Sequence, residues 1–262
     1  MEGLREVFAE HPTSRERIVE TGDTGEGGDL TLVIDSQAED AVFAQLDALH
    51  AEGARFTAVS EERGVVEYGG GDVRVVIDPL DGSLNAKRGM THFALSIAVA
   101  DGPTMADVHF GFVYDFGPHE EWVAHRGEGA WLNGRRIDAP PRERRTPEGR
   151  MEIVSFESAD PRLLAPKIAA LGETVNRLRA MGSIAISLCQ LAATRVDGMF
   201  TLRPTRSVDV AAAQLIVRET GAVVAFPGFD DPLGAPLDIE PHSRVVAART
   251  PESLARLIAA LE

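Results

Sequence analysis

A β-branched run, Val73-Arg74-Val75-Val76-Ile77, leads directly into Asp78-Pro79-Leu80-Asp81-Gly82-Ser83. The first five residues favour an extended strand. Proline removes a ladder donor and restricts the residue before it, so the strand is predicted to stop at Asp78-Pro79. Gly82 and Ser83 then open a short helical segment near Leu84 to Arg88. A strand that ends on carboxylates and resumes as a helix is typical of α/β sheets, whose ligands collect beyond the carboxyl ends of strands. Asp78 and Asp81 repel each other unless they are protonated or bridged by cations, and the Gly82 and Ser83 N–H groups favour an anion such as phosphate. Taken alone, the stretch is equally a capped surface turn, and it resembles a fragment of a Ca²⁺ loop.

The remaining periodicity alternates between the two kinds of element. Ser36 as N-cap with Glu39 three residues on predicts a helix over Gln37 to Glu52, and Phe56 to Val59 a strand running into Ser60-Glu61-Glu62. Arg15 to Glu20 reads as a short helix, and the glycine-rich stretch from Thr21 to Gly28 as a loop. Strands are expected at Phe93–Ala100, Phe110–Tyr114, Glu121–Ala124, Met151–Phe156, Met199–Leu202, Gly221–Ala225 and Arg244–Ala248, with a hairpin over Gly127 to Gly134. Helices are expected at Asp160–Leu171, Ser183–Thr194, Val210–Glu219 and Glu252–Ala260. The Pro-, Arg- and Glu-rich segment Asp138 to Gly149 divides the chain near residue 150, into an α+β half (1–150) and an α/β half (151–262).

The formal net charge is −15, which argues against nucleic acid as a partner because phosphate-backbone binding needs a basic face. An acidic chain that handles an anion must place cations between the two. The longest apolar runs are too short to span a bilayer, and the N-terminus lacks a basic region followed by an apolar one. The single cysteine, Cys189, lies in an apolar-periodic run and reads as a buried thiol in a reducing, cytoplasmic setting.

Four further elements surround the opening motif: Asp29-Leu30-Thr31-Leu32-Val33-Ile34-Asp35, Ser60-Glu61-Glu62, Ser207-Val208-Asp209-Val210-Ala211-Ala212-Ala213 and Arg218-Glu219-Thr220-Gly221. In this order, from about Asp29 to Val246, the chain resembles the inositol monophosphatase family, in the Mg²⁺-dependent, Li⁺-sensitive phosphatase superfamily that includes fructose-1,6-bisphosphatases. The resemblance implies a layered αβαβα sandwich, a homodimer, and hydrolysis of a phosphate monoester with two or three Mg²⁺ ions. It implies that Glu61, Asp78 and the Leu80 carbonyl hold a first metal, that Asp78, Asp81 and Asp209 hold a second, and that Glu61 with water holds a weaker third. Asp35 and Ser83 match the pair that positions and helps deprotonate the attacking water. Glu62 is the neighbouring acid, and the Gly82 and Ser83 amides match the phosphate contacts. Gly182-Ser183 resembles a substrate-contacting element, although a plain N-cap explains it equally, and Asp209 is also placed to cap the helix after it.

Mg²⁺ reverses the sign of a carboxylate cluster toward a dianionic ester, and such transfer relies on positioning and charge neutralisation rather than a covalent nucleophile. Two departures concern the substrate. Family members carry a glutamate seven residues before the third-motif aspartate, where this chain has Leu202, and the loop that follows offers Arg203 and Arg206. Arginine suits bidentate phosphate contact, which leans toward the archaeal-type dual-specificity members. The leading reading is hydrolysis of myo-inositol monophosphate, the alternative a fructose-1,6-bisphosphatase or dual-specificity sugar phosphatase. Outside the enzyme class stands a phosphate-binding regulatory protein.

Overall fold

The structure, a computed structural model, describes residues 19–24, 30–138 and 143–262, together with positions 4, 7, 10, 11 and 17. Two large sheets draw on separate stretches of the chain. The first has seven strands in the order β3-β4-β5-β6-β7-β8-β9: β3 (Phe56–Ser60), β4 (Gly64–Asp81), β5 (Ala94–Ala100), β6 (Val108–Asp115), β7 (Glu120–His125), β8 (Gly129–Leu132) and β9 (Arg135–Arg136). The second has five, in the order β11-β10-β12-β14-β13: β10 (Met151–Glu157), β11 (Val175–Arg179), β12 (Gly198–Thr201), β13 (Val223–Ala225) and β14 (Val246–Ala248). A short antiparallel pair, β1 (Glu20–Thr24) and β2 (Leu30–Leu32), precedes them.

Helices fill the space between and outside the sheets. α5 (Ile184–Ala192) and α6 (Ala211–Glu219) lie between them and share one apolar cluster with the inner faces of both, including Val76, Ala98, Val113, Trp122, Met199 and Ala247. α5 is buried nearly all round, as expected of a helix without a polar face. α6 approaches β6 so closely that a Cβ on Gly111 would lie 2.6 Å from the Ala212 carbonyl oxygen, so only glycine fits there. α1 (Val33–Ala51) covers the outer face of the first sheet through Ile34, Ala38, Val42, Phe43 and Leu46. α7 (Pro251–Leu261) and α4 (Ile168–Thr174) cover the second with Leu171, Leu257 and Leu261. The order is helix, sheet, helix, sheet, helix: the αβαβα sandwich expected from the resemblance. Where both faces are covered, as at β3 and β12, every strand residue is buried rather than every second one.

The structure departs from the sequence reading at several elements. α1 begins at Val33, so Asp35 and Ser36 lie inside the helix and Ser36 is not its cap. Glu39, expected to complete a capping box, is buried instead. β4 does not stop at Asp78-Pro79 but continues to Asp81. Its register against β5 slips there: Asp78 faces Ser96 and Asp81 faces Ala94, so the proline falls where no regular ladder bond is required. The expected helix from Asp160 breaks into α3 (Pro161–Leu164), a 3₁₀ turn and α4, because Pro166 cannot donate within a helix. β11, an edge strand of mixed exposure, went unread. The expected loop after Thr21 begins as a strand, and Glu20, expected to end a helix, opens it; residues 25–29, with Asp29, and positions 15, 16 and 18 of that expected helix lie outside the described residues.

Candidate active site

Three chain segments meet where the first sheet abuts the middle helices. The loop after β3 brings Glu61, the end of β4 brings Asp78, and the segment before α6 brings Asp209. Each offers a carboxylate oxygen, and the three oxygens lie within 4.8 Å of one another. Asp78 and Asp209 are buried, and Glu61 is half-buried.

Each acid is held by local structure. Asp78 Oδ1 accepts the Leu80 N–H at 2.8 Å, which closes the turn around Pro79. Glu61 sits in a loop clamped from below by Glu39, whose carboxylate accepts the Ser60 hydroxyl and the N–H groups of Glu62 (3.3 Å) and Arg63 (3.2 Å). Asp209 does not cap α6: Val210 holds the cap position without a side-chain bond, and the Asp209 carboxylate accepts from Arg206 instead. Asp81 is held toward α5. Its Oδ2 accepts the Ser183 hydroxyl at 2.6 Å and the Ala185 N–H at 2.7 Å, tying the end of β4 to the start of α5. Asp81 is therefore close to the three converging acids without being one of them.

Burial dominates the electrostatics. It raises Glu61 to about 8, against the opposing charge of Arg206 and with the help of Asp209. Burial, reinforced by Glu61, Asp81 and Asp209, lifts Asp78 well above the usual carboxylate range. Burial and the Asp209 charge raise Asp81 to about 7, although Ser183 and Ala185 oppose the shift. For Arg206 burial works against the charge, but Asp209 and Glu61 outweigh it and the guanidinium is held more firmly protonated than usual. Carboxylates so arranged resist ionising together unless cations offset them. Oxygen donors this close suit a hard divalent cation, so the residues present fit Mg²⁺.

Gly82 lies in the left-handed region (φ 93°) and caps the six-residue α2 (Ser83–Arg88). Asn85 in α2 donates to the carbonyls of His92 (2.6 Å) and Met181 (2.7 Å), which joins this turn to the Gly182-Ser183 loop. Ser183 caps α5 through Ile186 N–H at 3.1 Å while it donates to Asp81, so the capping and site readings of this residue coexist. A cavity of about 610 Å³ opens over the site, lined by Asp81, Gly182, Ser183, Arg203, Arg206 and Asp209 among others. Arg203 is largely exposed and pairs with Asp160 at 3.0 Å. Arg206 reaches across to Glu61. Leu202, where family members carry an acid, is buried in the outer core.

Sequence reasoning missed Glu157. It ends β10, lines the cavity, and accepts from Ser187 (2.5 Å), Met181 N–H (2.9 Å) and Gly182 N–H (2.8 Å). Burial, opposed by these donors, raises it to about 6. The signal was available: an acid at the end of a predicted strand, the same placement that drew notice to Asp78. Glu39, which supports Glu61, had no such signal, because its partner Ser60 comes from a distant turn of the chain.

A model of the inositol monophosphatase family matches residues 2–262. The chain belongs to this family. It is 37% identical over 202 residues to a fructose-1,6-bisphosphatase/inositol-1-monophosphatase of Thermococcus kodakarensis, covering 77% of this chain and 71% of that one. It is 34% identical to the Nus factor SuhB of Pasteurella multocida, covering 75% and 71%. A solved inositol monophosphatase-fructose 1,6-bisphosphatase superposes with a TM-score of 0.82 at 28% identity, over 99% of this chain and 95% of that one. The extragenic suppressor protein SuhB of Bartonella henselae gives 0.79 at 25% identity, over 100% and 95%. The chain is thus an inositol monophosphatase-family phosphatase with an acidic cluster able to hold metal. Among the described residues no helix is long and apolar enough to cross a membrane.

Proposed function

We propose that this protein is a Mg²⁺-dependent phosphomonoesterase that hydrolyses myo-inositol monophosphate, acting in the cytoplasm as a homodimer. The observation that supports it best is the meeting of Glu61, Asp78 and Asp209 beside a cavity large enough for a phosphorylated polyol. Glu61, Asp78, Asp209, Asp81 and the Leu80 carbonyl would hold two or three Mg²⁺ ions. When bound, these ions would neutralise the ester dianion, acidify the attacking water and stabilise the leaving oxygen. The chain's own groups do the positioning. Asp35 and Ser83 position the attacking water and together help to deprotonate it. The Gly82 and Ser83 amides hold the phosphate, and Gly182 and Ser183 border the polyol. The two halves, 1–150 and 151–262, meet at this site, with Asp209 and the arginine loop contributed by the second.

Arg203 and Arg206 on the cavity wall favour a second reading, a fructose 1,6-bisphosphatase or dual-specificity sugar phosphatase, because the planar guanidinium suits bidentate contact with a second phosphate. Phosphate release from inositol 1-phosphate and from fructose 1,6-bisphosphate, each with Mg²⁺ and with EDTA, separates the readings. Turnover of neither ester, nor of any other phosphomonoester, with Mg²⁺ present would leave a phosphate-binding regulatory protein. Arg206→Ala, assayed at saturating Mg²⁺, should raise KM for the bisphosphate more than for the monophosphate. Equal increases would remove the case for a second phosphate.

A further inference from the structure

Arg206 stands on a fixed base. Its neighbours Val208 and Val210 are buried, the Ser207 hydroxyl is bound to the Asp238 carbonyl (2.5 Å), and its own N–H is held by Asp209 Oδ2 at 3.2 Å. From that base the side chain spans the site. Nη1 donates to Glu61 Oε1 and Nη2 to Asp209 Oδ1 at 3.0 Å, a fork between two acids that are far apart in sequence. Those two residues, with Asp78, are the ones whose oxygens converge within 4.8 Å. The same side chain also lines the substrate cavity, so open space lies beside the guanidinium.

We infer that Arg206 and a divalent cation compete for the same oxygens of Glu61 and Asp209, so that metal entry displaces the guanidinium and turns it toward the anionic substrate. This rests on the metal-dependent reading above. The guanidinium serves as an internal counter-ion that keeps the acids together and the loops around them in place. A divalent ion at the same oxygens would put two cations within a few ångströms of each other, and the mobile one gives way. The arrangement couples metal binding to the exposure of a phosphate-binding arginine, and it sets the metal affinity below what the carboxylates alone would give.

The test is Mg²⁺ binding to the full chain by titration calorimetry, paired with thermal unfolding in EDTA and in saturating Mg²⁺. Arg206→Gln should bind Mg²⁺ roughly tenfold more tightly than the unaltered protein, equivalent to ~1.4 kcal/mol. It should unfold at a lower temperature in EDTA, and the gap should close when Mg²⁺ is saturating. Arg206→Lys keeps a charge near the acids and guards against loss of folding in the glutamine variant. It should shift affinity in the same direction by a smaller factor. Equal or weaker Mg²⁺ binding by either variant, with the unaltered protein binding normally, overturns the competition and leaves the metal reading standing. No Mg²⁺ binding by the unaltered protein overturns both.

Discussion

Gly82 tests the construction of the site most sharply, because two separate costs can be read from its surroundings. Its φ of 93° lies in the left-handed region, where an L side chain costs about 1–2 kcal/mol. A Cβ there would also stand 2.7 Å from the His92 carbonyl oxygen, 3.1 Å from the Gly182 carbonyl oxygen and 3.2 Å from Phe93 Cα. All three are backbone atoms that cannot rotate aside, so an overpacking cost of about 1–3 kcal/mol adds to the first. Gly82→Ala is therefore expected to lose about 3 kcal/mol, or about 6–12 °C in unfolding midpoint for a chain of this size. Gly221 supplies the control: its φ is 81°, and a Cβ there meets nothing within 4 Å, so Gly221→Ala should show only the backbone cost. The activity loss should be out of proportion to the stability loss. The His92 carbonyl that must yield also accepts from Asn85, which in turn holds Met181 beside the substrate loop. A displacement of about 1 Å at a reacting centre costs roughly 100-fold in rate. Urea unfolding and phosphate release measure the two effects. A Gly82→Ala protein no less stable than Gly221→Ala and with unchanged kcat would refute this account of the turn.

Asp81→Asn should abolish turnover while the protein stays folded, as judged by circular dichroism; near-full activity would sink its assignment as a metal residue. Asp115 carries a pH signature of its own. Burial, opposed mainly by the Gly117 N–H and by His92, raises it to about 6, against ~3.9 in an unfolded chain. Its folded form holds the proton more tightly, so its favourable contribution is complete below about pH 4 and is lost as pH climbs through about 6. Two units amount to about 3 kcal/mol at most. Asp115→Asn, which keeps an acceptor for Gly117, should thus be neutral near pH 4 and stabilising by about 1–3 kcal/mol at pH 8. Urea midpoints that shift equally at both values would contradict it.

The fold was largely legible because its central strands are apolar runs and several of its helices are bounded by glycine or proline. Much of what escaped depended on partners brought in from other segments of the chain. Nothing local distinguishes Glu39 the cap from Glu39 the buried clamp; the difference lies in Ser60, Glu62 and Arg63 folding over it. Asp209, read as a metal residue also placed to cap α6, does not cap it, because burial and Arg206, only three residues before it, claim its oxygens. The residue types of the site were readable from motif order. Its wiring, with Asp81 bound to Ser183 and Arg206 bound to Glu61, was not, since each bond joins segments more than 100 residues apart.

The error at Pro79 is the most informative, because it shows how the site works. In a regular strand successive side chains alternate, so residues three apart, such as Asp78 and Asp81, point to opposite faces of the sheet. One of the two would then be sent away from the middle layer. Along this strand three steps, from Asp78 to Asp81, match only two on β5, from Ser96 to Ala94. The extra residue changes the parity and lets both carboxylates face inward, close enough for Asp81 to raise Asp78. Proline is the residue best suited to the slip, since it has no N–H for the interrupted ladder to leave unpaired. The strand therefore had to continue past Asp78 for Asp81 to be aimed at α5, and a turn at the proline, as read from the sequence, would have left the second acid without its Ser183 and Ala185 anchors.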